Sequence, residues 1–292
     1  CYICTQALHW KTKEGLVRGC ACRGTAGFAH VSCLAEQAKI LVAEAKERNL
    51  DDDKWTRWHT CSLCEQQYHG VVKCALGWAC WKTYLGRPET DWVRGCAMNQ
   101  LGNGLAAAVH LEDALVVQEA ELSMLRRLGA LEVRILAVQA NLACTYARTG
   151  RLEEAMCLRR DINSGRRRLD GEEHEESLRA ANNYASSLYD LKRYGEAKTL
   201  LRKTISVARR VRGDSRELTL KMRWLYAVAL HHDPDATLDD VREAVETLES
   251  VTPSWKRIFG PAHPETAQVQ VALKNARRAL AARAAASSSG AA

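Results

Sequence analysis

Phenylalanine is nearly absent from this chain, which has only two in 292 residues. Alanine, leucine and arginine are abundant instead, and these residues favour helices more than the strands of a β-sandwich. The 47% of hydrophobic and 26% of charged residues are ordinary for a soluble protein. The length allows two domains. We therefore expect a mainly helical protein with more than one domain.

A hydrophobic run long enough to cross a membrane is also missing. The longest uncharged stretch, 95–111, contains Asn99, Gln100 and Asn103, which the core of a bilayer rejects. No signal-peptide pattern precedes it. The first residue is Cys1 and not Met, so we expect the sequence to be part of a longer protein. We expect no membrane span, and a cytoplasmic protein or, failing that, a nuclear one.

Concentrated charge is the third absence. The formal net charge of +7 is spread along the chain without a long block of Lys and Arg. This pattern predicts no nucleic-acid partner. No Gly-rich phosphate loop and no Ser/His/Asp arrangement is evident either, so the sequence predicts no catalytic side chain.

Seven of the twelve cysteines lie in the first 64 residues, and His30 lies among them at ligand spacing. They form four close pairs: Cys1 with Cys4, Cys20 with Cys22, His30 with Cys33, and Cys61 with Cys64. Thiolate and imidazole are zinc ligands, and a close pair can reach one metal from a single tight turn. The eight ligands predict two structural Zn²⁺ ions, each closed by four protein ligands, which leaves no position for a reactive water.

Two other interpretations of the cysteines fit the sequence less well than zinc does. A disulfide framework suits small secreted domains, but nothing else here indicates secretion, and His30 would have no role in it. Chance clustering is a poor source of eight ligands at metal-binding spacing.

The spacing resembles that of the RING-CH finger, found in membrane-associated RING-CH ubiquitin ligases. That family has one residue between its third and fourth cysteines and seven before its histidine, as Cys20, Cys22 and His30 do here. The PHD finger normally has fewer residues before its histidine, and an aromatic residue where this chain has His59. The likeness covers about the first 66 residues of the chain.

The resemblance implies a cross-brace, in which alternate ligand pairs share a metal. It assigns Cys1, Cys4, His30 and Cys33 to the first zinc, and Cys20, Cys22, Cys61 and Cys64 to the second. It also implies a ubiquitin ligase that recruits a ubiquitin-conjugating enzyme and forms no covalent intermediate.

Two residues are candidates for contact with the conjugating enzyme. Ile3 occupies the position that makes this contact in the family, and Trp58 is the second candidate. Packing against the zinc sites is the alternative role for both. Gln37 stands where the family often has Trp, and Glu65 where many ligases have a cation. These departures favour the alternative function, a non-catalytic scaffold; a PHD-like chromatin reader is a third interpretation.

Two helices are predicted near the finger. Between the third and fourth ligand pairs, Leu34, Ala38, Leu41 and Ala45 recur at helical spacing. The acidic run at 51–53 follows, and we interpret it as a solvated loop. A connecting helix is predicted at 68–85, packed on the first repeat through Leu76, Trp81 and Leu85.

Beyond residue 85 the chain repeats itself. Blocks begin at Gly86, Gly129, Gly171, Gly213 and Gly260, at separations of 43, 42, 42 and 47 residues. Each of the first four blocks has a large, a small and a second large residue, followed by an alanine further on. A small residue at this place lets two antiparallel helices approach closely, which is the tetratricopeptide arrangement.

The long period resembles the repeats of kinesin light chains. The segments Gly260-Pro-Ala-His-Pro-Glu-Thr266 and Asn141-Leu-Ala143 match phrases of those repeats, over about 86–282. The resemblance implies a solenoid whose concave face binds a protein or peptide.

Four polar residues are candidates for that groove. Asn141 and Asn183 occupy equivalent positions and would hold a peptide backbone, while Arg179 and Lys221 would receive acidic groups. Solvated or helix-capping roles are the alternative for all four.

The sequence thus predicts a small zinc-stabilised cross-brace RING-CH finger followed by an all-α tetratricopeptide solenoid. The predicted boundaries are 1–67 for the finger, 68–85 for the connecting helix, 86–282 for repeats beginning at 86, 129, 171, 213 and 260, and 283–292 for a disordered tail. The predicted function is a ubiquitin ligase whose finger recruits the conjugating enzyme and whose repeats bind the substrate.

Overall fold

A computed structural model of the chain describes residues 1–48, 52–261 and 263–289. These residues are predominantly helical, with a short 3-10 helix at Asp52–Trp58. The α-helices are α1 (Val31–Glu47), α2 (Gly70–Tyr84), α3 (Trp92–Ala107), α4 (Leu111–Arg127), α5 (Glu132–Arg148), α6 (Leu152–Asp170), α7 (Glu175–Asp190), α8 (Tyr194–Arg212), α9 (Glu217–His232), α10 (Leu238–Phe259) and α11 (Pro264–Ser289). The contacts divide the chain into two compact units, 1–150 and 151–292. Within the described ranges, no helix is long and apolar enough to span a bilayer.

The first unit begins with the cysteine-rich segment, 1–67, which consists mainly of loops, with α1 and the short 3-10 helix. Isolated antiparallel bridges join Val17 to Ala29 and Thr60 to Gln67, and α1 follows directly after His30. The predicted helix between the ligand pairs is present, with Leu34, Ala38 and Ala45 buried on one side. Of the acidic run, residue 51 and the side chains of 52 and 53 lie outside the described residues.

The cysteine-rich segment packs directly on α2. Tyr68, Val72 and Leu76 are buried in the same cluster as Leu34. The backbone carbonyl of Gly19 accepts a hydrogen bond from the amide of His69 (2.8 Å). A Cβ atom on Gly19 would lie 2.5 Å from Cβ of Val72, so only glycine allows this close contact.

Helices α2 and α3 cross at very short range through two glycines. A Cβ atom on Gly77 of α2 would lie 2.9 Å from the carbonyl oxygen of Gln100, and one on Gly104 of α3 would lie 2.8 Å from that of Lys73. Each glycine therefore meets the backbone of the opposite helix. The connecting helix is shorter than the predicted 68–85; Leu76 is buried in it, but Leu85 lies beyond its end and is 47% exposed.

The recurrent glycines mark the ends of helices. Gly171, Gly213 and Gly260 follow α6, α8 and α10 and have φ angles of 85° to 90°, a region that glycine adopts without steric cost. The next helix begins four residues after each glycine, at Glu175, Glu217 and Pro264. His174 accepts a hydrogen bond at Nδ1 from the amide of Glu176 (3.2 Å), and His263 does so from Glu265 (3.2 Å). The glycine and histidine of the repeat phrase thus have a structural role.

The second unit has its core where the small residues recur. Ala185 and Ala197, in α7 and α8, and Ala227 and Ala244, in α9 and α10, are all fully buried. Helix α9 packs against both α8 and α10, and α10 packs against α11. These contacts are those that the large–small–large pattern predicts.

The last helix extends past the predicted end of the repeats. Helix α11 runs to Ser289 and so includes most of the segment that the sequence predicts to be a disordered tail. Its alanine-rich composition favours helix. Residues 290–292 lie outside the described part of the chain.

Candidate metal centres and ligand grooves

The four ligand pairs come together as two clusters. One consists of Cys1, Cys4, His30 and Cys33, and the other of Cys20, Cys22, Cys61 and Cys64. In each cluster the ligand atoms all lie within 4.8 Å of one another. The first and third pairs thus share one cluster and the second and fourth share the other, which is the interleaved arrangement that the resemblance implies. Each cluster could hold a metal ion.

The distances within the clusters fit a tetrahedral ion. The Sγ atoms of Cys22 and Cys61 are 3.8 Å apart, and Nδ1 of His30 is 3.4 Å from Sγ of Cys4 and 3.6 Å from Sγ of Cys33. A tetrahedral zinc, with bonds of about 2.3 Å to sulfur and 2.0 Å to nitrogen, separates two sulfurs by about 3.8 Å and sulfur from nitrogen by about 3.5 Å. All twelve cysteines, each within the described residues, are free thiols. The donor set therefore fits zinc better than a disulfide framework.

His30 is oriented by a hydrogen bond on the far side of its ring. Its Nε2–H donates to the carbonyl oxygen of Ala7 (3.2 Å), which leaves Nδ1 as the acceptor that faces the sulfurs. A partner at one ring nitrogen is the usual means of fixing the tautomer of a metal-binding histidine. His9 packs edge-on against the His30 ring at 5.4 Å between centroids and is itself buried.

The first and last cysteine pairs form matching turns. The amide of Ile3 donates to Sγ of Cys1 and that of Leu63 donates to Sγ of Cys61, both at 3.4 Å. Each turn is closed by a residue with positive φ, Thr5 at 61° and Glu65 at 56°. Glu65 is therefore a turn residue as well as a departure from the family pattern.

Two of the clustered thiols resist ionisation on their own, and a third ionises more readily than a free cysteine. Burial, followed by hydrogen bonds that the Cys22 thiol donates to neighbouring cysteines, raises the pKa of Cys22 to about 12, and burial and the neighbouring Cys4 raise the pKa of Cys33 to about 11. A hydrogen bond from the backbone of Gln66 lowers the pKa of Cys64 to about 7. Four thiolates in so small a space need a cation, since each charge disfavours the next.

The structure separates the two candidates for contact with a conjugating enzyme. Ile3 is half-buried against the core of the cysteine-rich segment. Trp58 is 1% exposed and packs edge-on against Tyr84 at 5.9 Å. Its ring therefore has no free surface for a partner, and Trp58 packs in the core of the first unit. Leu63, which the sequence analysis did not single out, is 52% exposed. It holds the same place in the last turn that Ile3 holds in the first.

The four groove candidates fall in different surroundings. Asn141 lines a cavity of about 440 Å³ in the first unit. In the second unit, Asn183 and Lys221 line a cavity of about 290 Å³. Lys221 is ion-paired with Glu217 (2.8 Å), while Arg179 lies outside this cavity and is ion-paired with Glu175 (2.8 Å). The two cations are thus already matched by carboxylates of their own helices.

The helical part of the chain has the fold of a tetratricopeptide repeat protein. Residues 177–216, which cover most of α7 and all of α8, match the family model of the tetratricopeptide repeat. A comparison with curated proteins gives no match.

The particular likeness is to kinesin light chains. Two crystal structures of a putative kinesin light chain from Podosopora anserina with nearly identical TPR-like repeats, one of them a single-substitution variant, are similar to this chain. Each is 18% identical, covering 78% of this chain and 97% of the solved one, with TM-scores of 0.54 and 0.53. At this identity the likeness establishes the fold alone. The predicted kinesin-light-chain-like repeats are confirmed at that level.

Proposed function

We propose that this protein is a zinc-binding ubiquitin ligase of the RING-CH type, in which the finger recruits a ubiquitin-conjugating enzyme and the helical repeats bind the substrate. The observation that carries the proposal is the interleaved pairing of the eight ligands in two clusters of four. The spacing of Cys20, Cys22 and His30 favours the RING-CH type over the PHD type.

Zinc would act here as a cross-link. A segment of this size buries too little apolar area to fold alone, and the binding of each structural zinc contributes about 10–16 kcal/mol to folding. The ligands of each cluster come from distant parts of the segment, so the ions would fix the loops around them. The ligase would act by holding its partner, without a covalent intermediate of its own.

The two matching turns supply the candidate docking surface. The hydroxyl groups of Tyr2 and Ser62 lie 3.1 Å apart, which brings the two turns together. Ile3 and Leu63 each follow one of these residues. Leu8 (59% exposed) and Trp10 (70% exposed) add apolar surface in the loop that follows the first turn. Exposed apolar groups beside zinc-binding turns are the features that a conjugating enzyme would contact.

The repeats support the second half of the proposal. Tetratricopeptide repeats present grooves for protein segments, and both units of this chain contain a groove lined by asparagine and a cation. A protein or peptide substrate would bind there.

Discharge of ubiquitin from a charged conjugating enzyme to free lysine tests the ligase function. With the zinc-loaded full chain and a panel of conjugating enzymes, we expect at least one to be discharged faster. Ile3→Ala and Leu63→Ala should each remove this acceleration while both zinc ions remain bound. Val116→Ala is the matched control, because Val116 is 68% exposed and belongs to α4, outside the finger. No acceleration across the panel, with both metals bound, would contradict the ligase function.

A non-catalytic scaffold is the second candidate. It is favoured by Glu65, which is exposed and acidic where many ligases have a cation, and by the burial of Trp58. In that case the finger only stabilises the N-terminal unit, and the repeats assemble partners. The same assay separates the two functions, since a scaffold would leave every conjugating enzyme charged.

A further inference from the structure

The cavity of about 440 Å³ in the first unit is formed jointly by the finger segment and the first helices. Trp55, His59 and Gln67 line one part of it, and residues of α2, α3, α4 and α5 line the rest. His59 and Gln67 flank the last cysteine pair. The finger and the helices thus share a single recess within one compact unit.

Two cations and a set of side-chain amides line this cavity. The cations are Lys73 of α2 and Arg134 of α5. Lys73 donates to Oε1 of Gln67 (3.3 Å). Gly95 of α3 makes room for the guanidinium, because a Cβ atom there would lie 3.1 Å from Nη2 of Arg134. The amides are those of Asn99, Gln100, Asn103 and Asn141, together with Gln67.

Glu121 of α4 is the one acidic residue among the described residues that line the cavity, and it is 3% exposed. Asn103 donates to Oδ1 of Asn99 (2.9 Å), and Asn99 donates to Oε2 of Glu121 (3.3 Å). Burial raises the pKa of Glu121 to about 8, despite the hydrogen bond from Asn99 and the positive charge of Arg134. At neutral pH the carboxyl group is therefore mostly protonated, and the two cations face no competing charge in the cavity.

We propose that this cavity binds an anionic side chain, a carboxylate or a phosphate, of a peptide segment. Lys73 and Arg134 contact the anion, and the amides of Asn103 and Asn141 pair with the peptide backbone, since an amide offers both a donor and an acceptor. The proposal names the substrate class of the repeat groove and so deepens the proposed function. It also makes the finger a part of the recognition site, because Gln67 holds Lys73 and Trp55 forms part of the wall.

Degenerate peptide pools with one fixed central residue test the site. The fixed residue is Asp, phosphoserine, Asn or Lys, and each pool is passed over the immobilised zinc-loaded full chain. We expect retention of the Asp pool, the phosphoserine pool or both, and none of the Asn and Lys pools. Retention of phosphoserine alone identifies the anion as phosphate, and retention of both shows that charge suffices. Equal retention of all four pools, or of none, would overturn the proposal.

Variants then assign the retained peptides to this cavity. Lys73→Gln and Arg134→Gln should each weaken the binding of a retained peptide by about tenfold or more, as loss of a charge-assisted hydrogen bond does. Arg126→Gln is the matched control, because Arg126 is an exposed residue of α4 that does not line the cavity. Unchanged affinity in both cavity variants, with the metal content and helix content of the parent, would place the peptide elsewhere and so contradict the proposal.

The pH dependence of binding provides a second signature. The charged and titratable groups that line the cavity with Glu121 are Arg134, Lys73, His59 and Cys96, and Asn99 donates a hydrogen bond to the carboxyl group. As the pH rises through about 8, Glu121 gains a negative charge that repels the anion. The affinity for an Asp peptide should therefore fall over this range, and Glu121→Gln should remove the fall without loss of affinity at neutral pH. The peptide-binding assay contains no conjugating enzyme, so its outcome does not depend on whether the chain is a ligase. Failure of ubiquitin discharge would contradict the ligase function alone, and failure of peptide binding would contradict the anion site alone.

Discussion

Gly27 lies directly against the sulfurs of the second metal cluster, with a φ angle of 78°. A Cβ atom there would lie 2.6 Å from Cβ of Cys22 and 3.1 Å from Sγ of Cys20. Any larger residue would therefore push on two ligands at once. The spacing of the ligands gives no sign of this, because the contact depends on how the loop folds back over the cluster.

We expect Gly27→Ala to weaken the second zinc site and leave the first unchanged. The loss of affinity should be about ten- to a hundredfold, the range produced by changes next to metal ligands. Competition with a chromophoric chelator would measure this loss, because the zinc of the second site would be released at a lower chelator concentration than that of the first. Gly24→Ala is the control, since Gly24 also has a positive φ, of 59°, but open space around it. Equal loss in both variants would show that backbone strain, and not contact with the sulfurs, is responsible.

Glu121 also links stability to pH. Burial raises its pKa from 4.5 to about 8, so the folded chain keeps a proton that the unfolded chain releases. The contribution of Glu121 to the free energy of unfolding is fully present below pH 4.5. It decreases by about 1.4 kcal/mol per pH unit as the pH rises from 4.5 to about 8. Glu121→Gln should remove this slope in denaturant unfolding curves measured across the range. An unchanged slope in the variant would assign the pH dependence to other groups.

At the scale of secondary structure, the crossing of α2 and α3 depends on its two glycines. Gly104→Ala places a methyl group 2.8 Å from a carbonyl oxygen of α2, and backbone atoms cannot move aside as a side chain can. We expect a loss of about 1–3 kcal/mol in the free energy of unfolding. Gly195→Ala is the comparison, since Gly195 lies in α8 with open space around it, and there alanine should be neutral or stabilise by up to about 1 kcal/mol. Equal effects of the two substitutions would mean that the crossing tolerates a side chain.

The sequence predicts the helices and their pairing better than the contacts of the finger. The recurrent Ala185 and Ala227 are fully buried as expected, because a repeated small residue reports a repeated helix crossing. The ligand clusters follow from spacing and resemblance. Gly77 and Gly104 were not predicted, because neither occupies a position of the repeated large–small–large pattern. The burial of Trp58 and the exposure of Leu63 depend on the tertiary packing of the finger, which periodicity does not report.

At the scale of the whole molecule, the metal ions are expected to stabilise the first unit beyond the finger. Cys20 and Cys61 belong to the same buried cluster as Val72 and Leu76 of α2. Removal of zinc would therefore weaken the packing of α2 as well as the loops. The second unit has its own core in α7 to α11 and should not depend on the metals.

We expect the purified protein to contain two zinc ions per chain, measured by elemental analysis. Chelation should abolish hydrogen-exchange protection in the first 69 residues and lower it in α2, while α7 to α10 keep theirs. The physical reason is that each zinc contributes about 10–16 kcal/mol to the folding of a segment too small to fold alone. A finger that keeps its protection without metal would remove the basis for the ligase function.

The contact between Gly19 and Val72 leaves no hinge between the finger and the first helices, because a glycine on one side accepts a branched side chain on the other. In a ligase, a flexible linker between the finger and the substrate-binding part lets the transferred ubiquitin reach many lysines of the bound substrate. Here the turns that carry Ile3 and Leu63 lie in the same compact unit as the cavity, so a substrate segment bound in the cavity would keep a fixed distance from them. For a substrate bound in that cavity, the distance of each lysine from the bound segment would decide which lysine is modified.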